Sequence, residues 1–133
     1  MLIGKKPSTI FDKLDELDIV FYPTGSRYLT PDRVSSYSDY DFYTEASEET
    51  VEALLSLGFQ KLPSSSYQDG DLVAVYRYRG GPQVDVQLSR NVELRKEVNE
   101  RIKALKFPFN YLSESAACEV WNAMFKEIID GNS

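Results

Sequence analysis

The sequence contains no histidine and only one cysteine among its 133 residues. Without histidine, the chain cannot form a Ser-His triad, a histidine general base or most kinds of zinc site. A metal site must therefore use oxygen ligands, which favours Mg²⁺ or Mn²⁺. The lone Cys118 cannot form an internal disulfide, and its place in a predicted helix suits a small buried apolar side chain.

Long apolar runs are also missing from the sequence. No run approaches the roughly 20 residues that a membrane-spanning helix needs, and the apolar stretch after Met1 is too short for a signal peptide. We therefore expect a cytoplasmic protein without a membrane partner. The net charge of −6 disfavours a long nucleic acid as partner, because proteins that bind nucleic acids usually carry a basic excess.

The chain does contain enough apolar material to fold, with 42% hydrophobic and 13% aromatic residues. Its length suits a single domain, which we expect to span residues 1–133. Apolar periodicity predicts helices at 9–18, 45–57, 91–106 and 113–130, and strands at 19–22, 40–43, 59–62, 72–79 and 83–88. This order predicts an α+β (mixed α/β) fold, in which helices pack against a mixed sheet and two helices stand at the C-terminus.

Thr24-Gly25-Ser26 ends the first predicted strand. A glycine at this point lets the backbone approach a ligand closely. The N–H groups that follow, with the Ser26 hydroxyl, can then bind phosphate oxygens. A simple turn is the alternative interpretation of the same three residues.

Carboxylates lie on two of the predicted strands. Residues two apart on a strand share a face, so Asp39 and Asp41 project side by side, about 6–7 Å apart, while Tyr40 and Phe42 point into the core. Because like charges repel and Asp is depleted in strands, a hard divalent cation is the simplest stabilising partner; a solvated strand face is the alternative. Asp85, between two core-facing valines, belongs to the same site only if the two strands are adjacent.

Two further patterns are interpreted without assigning a site to them. Asp69-Gly70-Asp71 has the same Asp-x-Asp spacing, but its glycine and the serines before it predict a turn. Arg77 and Arg79 alternate with tyrosines in a predicted hairpin. We expect the tyrosines to face the core and both arginines to be solvated.

In combination, Gly25-Ser26, Asp39-x-Asp41 and Val84-Asp85-Val86 resemble the ordered motifs of the DNA polymerase beta-like nucleotidyltransferase superfamily, in particular its minimal members. The resemblance covers about residues 19–88. It implies a nucleotidyltransferase-like mixed sheet. It also implies transfer of a nucleoside monophosphate from a nucleoside triphosphate, such as ATP, to a hydroxyl acceptor on a small molecule, a protein or an RNA end.

The resemblance also implies a set of site residues. The catalytic carboxylates, which would bind two Mg²⁺ or Mn²⁺ ions, are Asp39, Asp41 and Asp85. The phosphate-binding residues are Gly25, Ser26, Arg27 and Arg33. Guanidinium groups match phosphate oxygens well, although a plain surface role explains the two arginines equally.

Two alternatives remain open. The segment after Gly25-Ser26 departs from the family pattern, because Pro31 interrupts it and a second glycine is missing, and this favours a catalytically inactive binding or regulatory protein with the same fold. The last predicted helix carries Trp121, Met124 and Phe125, which suit either the core or an interface in one half of a toxin–antitoxin-like pair. In so short a chain, a partner protein or a homodimer would complete the acceptor site.

Overall fold

A computed structural model describes residues 9–25, 40–64, 71–80, 83–104 and 114–131 of the chain. These residues form a mixed α+β fold, as predicted, with one five-stranded sheet. The helices are α1 (Ile10–Asp15), α2 (Glu48–Ser56), α3 (Val92–Ala104) and α4 (Glu114–Gly131). The strands are β1 (Tyr22–Thr24), β2 (Tyr40–Glu45), β3 (Gln60–Lys61), β4 (Leu72–Tyr78) and β5 (Val84–Ser89).

The strands are arranged in the order β1-β2-β5-β4-β3. Strands β2 and β5 are parallel, whereas the β1–β2, β5–β4 and β4–β3 pairs are antiparallel. The predicted hairpin is confirmed as β4 and β5. The chain crosses over through α2 before it forms that hairpin, and this crossover places β5 beside β2.

Local side-chain bonds fix where the first two helices begin. The Thr9 hydroxyl accepts a hydrogen bond from the Asp12 amide (3.2 Å), while the Asp12 carboxylate accepts one from the Thr9 amide (3.1 Å), which forms a capping box. The Ser47 hydroxyl likewise accepts from the Thr50 amide (3.1 Å). Gly58, with φ of 95°, follows the end of α2, as its sequence pattern predicts.

One face of the sheet forms the main apolar core under α1 and α2. Tyr40 and Phe42 of β2 both contact the ring of Phe11 from α1, with centroid distances of 4.8 and 6.5 Å. Val84 and Val86 of β5 are fully buried, which confirms their predicted orientation toward the core. The buried residues of this core are Ile10, Leu14, Leu54, Phe59, Ala74, Tyr76, Val84, Val86 and Leu88.

The opposite face of the sheet is covered by α3, which presents polar as well as apolar side chains to it. Arg95, Val98 and Asn99 of this helix are almost completely buried. Asn99 accepts a hydrogen bond from the Thr24 hydroxyl at the end of β1 (3.2 Å). The C-terminal helix α4 packs on α3. The sheet therefore lies between two helical layers, one apolar and one with many polar contacts.

Three predicted details differ from the structure. The first strand begins at Tyr22 rather than at residue 19, and Val20 is exposed in the approach to it, where its carbonyl oxygen accepts from the Thr44 hydroxyl (2.7 Å). Leu55 is exposed, although its helical spacing with Val51 and Leu54 predicts that it shares their buried face of α2. Gly131 ends α4 from within instead of following it. Among the helices described here, none is both long and apolar enough to cross a membrane.

Candidate active site

A single line of side chains crosses the sheet on the face away from the main apolar core. The strand register pairs Thr24 with Asp41, Asp41 with Asp85, Asp85 with Arg77, and Arg77 with Gln60. Residues paired in register on neighbouring strands project to the same face. Each strand thus contributes one member to this line, which we call the polar row: Thr24, Asp41, Asp85, Arg77 and Gln60.

Asp41 and Asp85 are neighbours in the polar row, on the two parallel strands at the centre of the sheet. Adjacent strands lie roughly 4.8 Å apart, so the two carboxylates stand side by side. Strands β2 and β5 are therefore adjacent, which is the condition for Asp85 to belong to the same site as Asp41. Asp85 is also buried rather than on a solvated strand face, and two neighbouring carboxylates repel each other unless a cation lies nearby.

Gly25 lies directly against the Asp41 carboxylate. Its φ of 73° is in the left-handed region, and a Cβ atom built on it would lie 2.3 Å from Asp41 Oδ2. Any residue larger than glycine would therefore displace the carboxylate. This contact brings the turn after β1 next to the Asp41–Asp85 pair, as expected if Gly25-Ser26 and Asp39-x-Asp41 belong to one site.

Four of the predicted site residues lie outside the part of the chain that the structure describes. They are Ser26, Arg27, Arg33 and Asp39. Among the described residues, no three His, Cys, Asp or Glu side chains come together in a way that could hold a metal ion. The described part of the predicted triad is therefore the Asp41–Asp85 pair.

Arg77 binds Asp85 through a bidentate ion pair, and its expected role as a solvated arginine is wrong. Its Nε donates to Asp85 Oδ1 at 2.8 Å and its Nη2 donates to Oδ2 at 2.9 Å. The side chain of Arg77 is 28% exposed and that of Asp85 is 11% exposed, so the pair lies at the edge of solvent. Charge-assisted bidentate pairs of this kind are the strongest common hydrogen-bonding arrangement in proteins.

The sequence indicates this ion pair through the spacing of its two residues across the hairpin. In the sequence, Arg77 precedes Gly81 by four residues and Asp85 follows it by four, so a symmetric hairpin places the two side chains opposite each other. Alternation with tyrosines indicated only the side to which Arg77 points.

A second aspartate–arginine pair has a different character. Asp71 lies in a turn, as predicted, yet it is buried, with Arg95 Nε at 3.0 Å and the Ser89 hydroxyl at 2.6 Å from its Oδ2. The side chains of Arg95 and Asp71 are 1% and 3% exposed. This closed pair fixes α3 to the ends of β4 and β5, and it has no access to a ligand.

Aromatic and polar side chains support β1 and β2 beside the site. Tyr22 and Tyr43, paired across these strands, stack with ring centroids 5.1 Å apart, and the Lys96 ammonium group lies 5.4 Å from the Tyr22 centroid. Burial raises the pKa of the Tyr43 phenol above its ordinary value of 10.0. These contacts keep the strand ends that carry Thr24 and Asp41 in place.

No protein-family model, curated protein or solved structure matches the chain. A functional hypothesis for this protein therefore depends on the ordered motifs in residues 19–88 and on the geometry of the polar row.

Proposed function

We propose that the protein is a metal-dependent nucleotidyltransferase that moves a nucleoside monophosphate from a nucleoside triphosphate to a hydroxyl acceptor. The observation that carries this proposal is the register of Asp41 with Asp85 on parallel neighbouring strands. The backbone contact of Gly25 with Asp41 adds support, because the turn that we propose to bind phosphate begins beside one of these carboxylates.

The donor atoms in the polar row suit a hard divalent cation. Carboxylate oxygens are the preferred protein ligands of Mg²⁺ and Mn²⁺. The Arg77 fork uses one lone pair on each Asp85 oxygen, and each carboxylate oxygen has two. Asp85 thus keeps acceptor capacity for an ion that Asp41 and the predicted third ligand, Asp39, would share.

The ions would supply charge stabilisation for the attacking and leaving oxygens of an in-line displacement when they are bound. The chain itself would orient the reacting groups. Asp41 and Asp85 hold fixed positions on central strands, and the Gly25 backbone lies directly beside Asp41. Ser26, Arg27 and Arg33 remain the proposed phosphate contacts.

The proposal is tested with wild type, Asp41→Asn and Asp85→Asn, and with Asp15→Asn as the control. Asp15 is exposed at the end of α1 and its substitution removes the same charge. With Mn²⁺ and each of the four nucleoside triphosphates labelled at the α-phosphate, we expect wild type and Asp15→Asn to label an acceptor or release pyrophosphate. Both site variants should lose that activity.

Binding provides a second measurement that does not depend on finding the acceptor. Ion plus nucleotide at about 100 times the dissociation constant should add about 2.7 kcal/mol to the unfolding free energy of wild type and Asp15→Asn. Asp41→Asn should gain much less. The proposal fails if ion and nucleotide leave the melting temperature of wild type unchanged and no acceptor is labelled.

A catalytically inactive nucleotide-binding protein is the second candidate, and the Arg77–Asp85 pair is the observation that favours it. In that case Arg77 would take the place of the metal as the cation beside Asp85. Nucleotide would then stabilise the protein equally with and without divalent ion.

The partner surface proposed for α4 includes Trp121 and Phe125, whose side chains lie outside those described.

A further inference from the structure

We propose that Arg77 is a positioning residue that weakens binding of free divalent ion at Asp85, so that the ion binds tightly only together with a nucleoside triphosphate. This inference rests on the proposed function. It assigns to Arg77 a role in the order of binding, which none of the sequence motifs indicates.

The geometry of the ion pair supports this role. Both oxygens of Asp85 accept from the Arg77 fork, at 2.8 and 2.9 Å, so any cation that binds Asp85 must also lie close to the guanidinium group. Two cations that share one carboxylate repel each other. The free ion therefore binds Asp85 against the positive charge of Arg77.

The contrast between the two aspartate–arginine pairs distinguishes this role from a structural one. Arg95 and Asp71 are closed off from solvent, and Ser89 takes a further position on the Asp71 carboxylate. The side chain of Arg77 is 28% exposed, far more than that of Arg95. An arginine in this position can reach a ligand that arrives from solvent without any change in the core.

Charge explains why nucleotide would relieve the repulsion. Asp41, Asp85 and Arg77 together carry a formal charge of −1, and without Arg77 they would carry −2. A triphosphate is a strong anion whose oxygens match the guanidinium fork. When it binds, Arg77 gains a further anionic partner and its repulsion of the metal is offset, so ion and nucleotide each increase the affinity for the other.

The experiment measures Mn²⁺ affinity of the full chain by calorimetry, without nucleotide, for wild type, Arg77→Gln, Arg77→Lys and Arg79→Gln. Arg79 is an exposed arginine two residues further along the hairpin, so its substitution changes net charge equally. Arg77→Gln should bind Mn²⁺ about tenfold more tightly than wild type, because it removes a positive charge next to the ion. Arg79→Gln should stay within about twofold because the charge it removes is exposed and screened, and Arg77→Lys, which keeps the charge, should stay near wild type.

Nucleotide dependence is measured in the same series with a non-hydrolysable triphosphate analogue. The analogue should tighten Mn²⁺ binding more in wild type than in Arg77→Gln. Asp41→Asn is also introduced into wild type and into each arginine variant. A loss of Mn²⁺ affinity in these proteins shows that the measured ion binds at the polar row. A merely structural Arg77 would lower the melting temperature of Arg77→Gln without tightening Mn²⁺ binding.

The possible results separate this inference from the proposed function. Equal or weaker Mn²⁺ binding by Arg77→Gln, with binding that still depends on Asp41, overturns the role of Arg77 and leaves the nucleotidyltransferase proposal intact. Mn²⁺ binding that is unaffected by Asp41→Asn places the ion elsewhere and overturns both. If Arg77→Gln does not fold, the test uses nuclear magnetic resonance of the Arg77 Nε–H group in wild type. The inference requires that its chemical shift change more with Mg²⁺ plus analogue than with Mg²⁺ alone. Equal changes contradict the inference.

Discussion

Substitution of Gly25 by alanine tests the contact between the glycine turn and the carboxylates. The backbone at Gly25 has φ of 73°, a conformation that costs a non-glycine residue about 1–2 kcal/mol. The new Cβ atom would also lie 2.3 Å from Asp41 Oδ2 and 2.8 Å from Asp41 Cβ and Cγ. To restore ordinary contact distances of about 3.5 Å, the Asp41 side chain must move by roughly 1 Å.

Gly58 provides a matched control for this substitution. It also has a positive φ, 95°, but a Cβ atom built on it meets only Tyr78 Cε1, at an ordinary distance of 3.9 Å. Gly58→Ala should therefore cost about the same 1–2 kcal/mol of strain without moving any member of the polar row. A protein with a typical stability of about 5–15 kcal/mol tolerates either change and remains folded.

We expect both Gly25→Ala and Gly58→Ala to have urea midpoints below wild type, with that of Gly25→Ala the lower of the two because the clash with Asp41 adds to the backbone strain. Their activities should differ, because a misplacement of about 1 Å at reacting groups can lower a rate on the order of 10²-fold. Gly25→Ala should lose that much transferase activity and bind Mn²⁺ more weakly, whereas Gly58→Ala should keep both properties. Equal activity and Mn²⁺ affinity in the two variants would refute the link between the turn and Asp41.

Two further predictions concern the supporting face of the sheet. Arg95→Met should lower the free energy of unfolding in urea by about 3–5 kcal/mol, because it leaves the Asp71 carboxylate buried without a cation; adding Asp71→Leu should recover part of the loss, and no recovery would contradict this. For Tyr43, burial raises the folded-state pKa, so the unfolded chain releases the phenolic proton first. The contribution of the Tyr43 phenol to stability is therefore fully present below about pH 10 and is lost as the pH rises through the folded-state pKa. Between about pH 9 and about pH 11, the urea midpoint of Tyr43→Phe should decrease less than that of wild type. Equal decreases would contradict the assignment of this pH dependence to Tyr43.

Sequence periodicity predicted those parts of the fold that depend on neighbouring residues. The alternation around Tyr40 and Phe42 indicated which face of β2 is buried, and the spacing of apolar residues predicted helices α1 and α2. These features follow from local geometry, because a strand alternates its faces and a helix returns to the same face about every 3.6 residues. The adjacency of β2 and β5 was harder to predict, since it depends on a crossover that periodicity does not encode.

Where prediction failed, the deciding partner was distant in the sequence. The apolar run that begins at Ile19 suggested a strand, but β1 begins at Tyr22, because pairing with β2 is what defines it. Leu55 was expected on the buried face of α2 from its helical spacing with Val51 and Leu54, although it is 53% exposed. Asp71 was identified as a turn residue, and the bond that buries it comes from Arg95 on a later helix.

The two aspartate–arginine pairs show why residue type alone cannot separate a structural carboxylate from one proposed to be functional. Both carboxylates bind an arginine through two oxygens. Asp71 is enclosed by helix α3 and also accepts from Ser89, so its remaining acceptor capacity cannot reach a ligand. Asp85 is next to Asp41 and meets an arginine that is open to solvent. A carboxylate remains available for chemistry when its counter-cation can be shared with an incoming ligand, and of these two pairs only Arg77–Asp85 meets that condition.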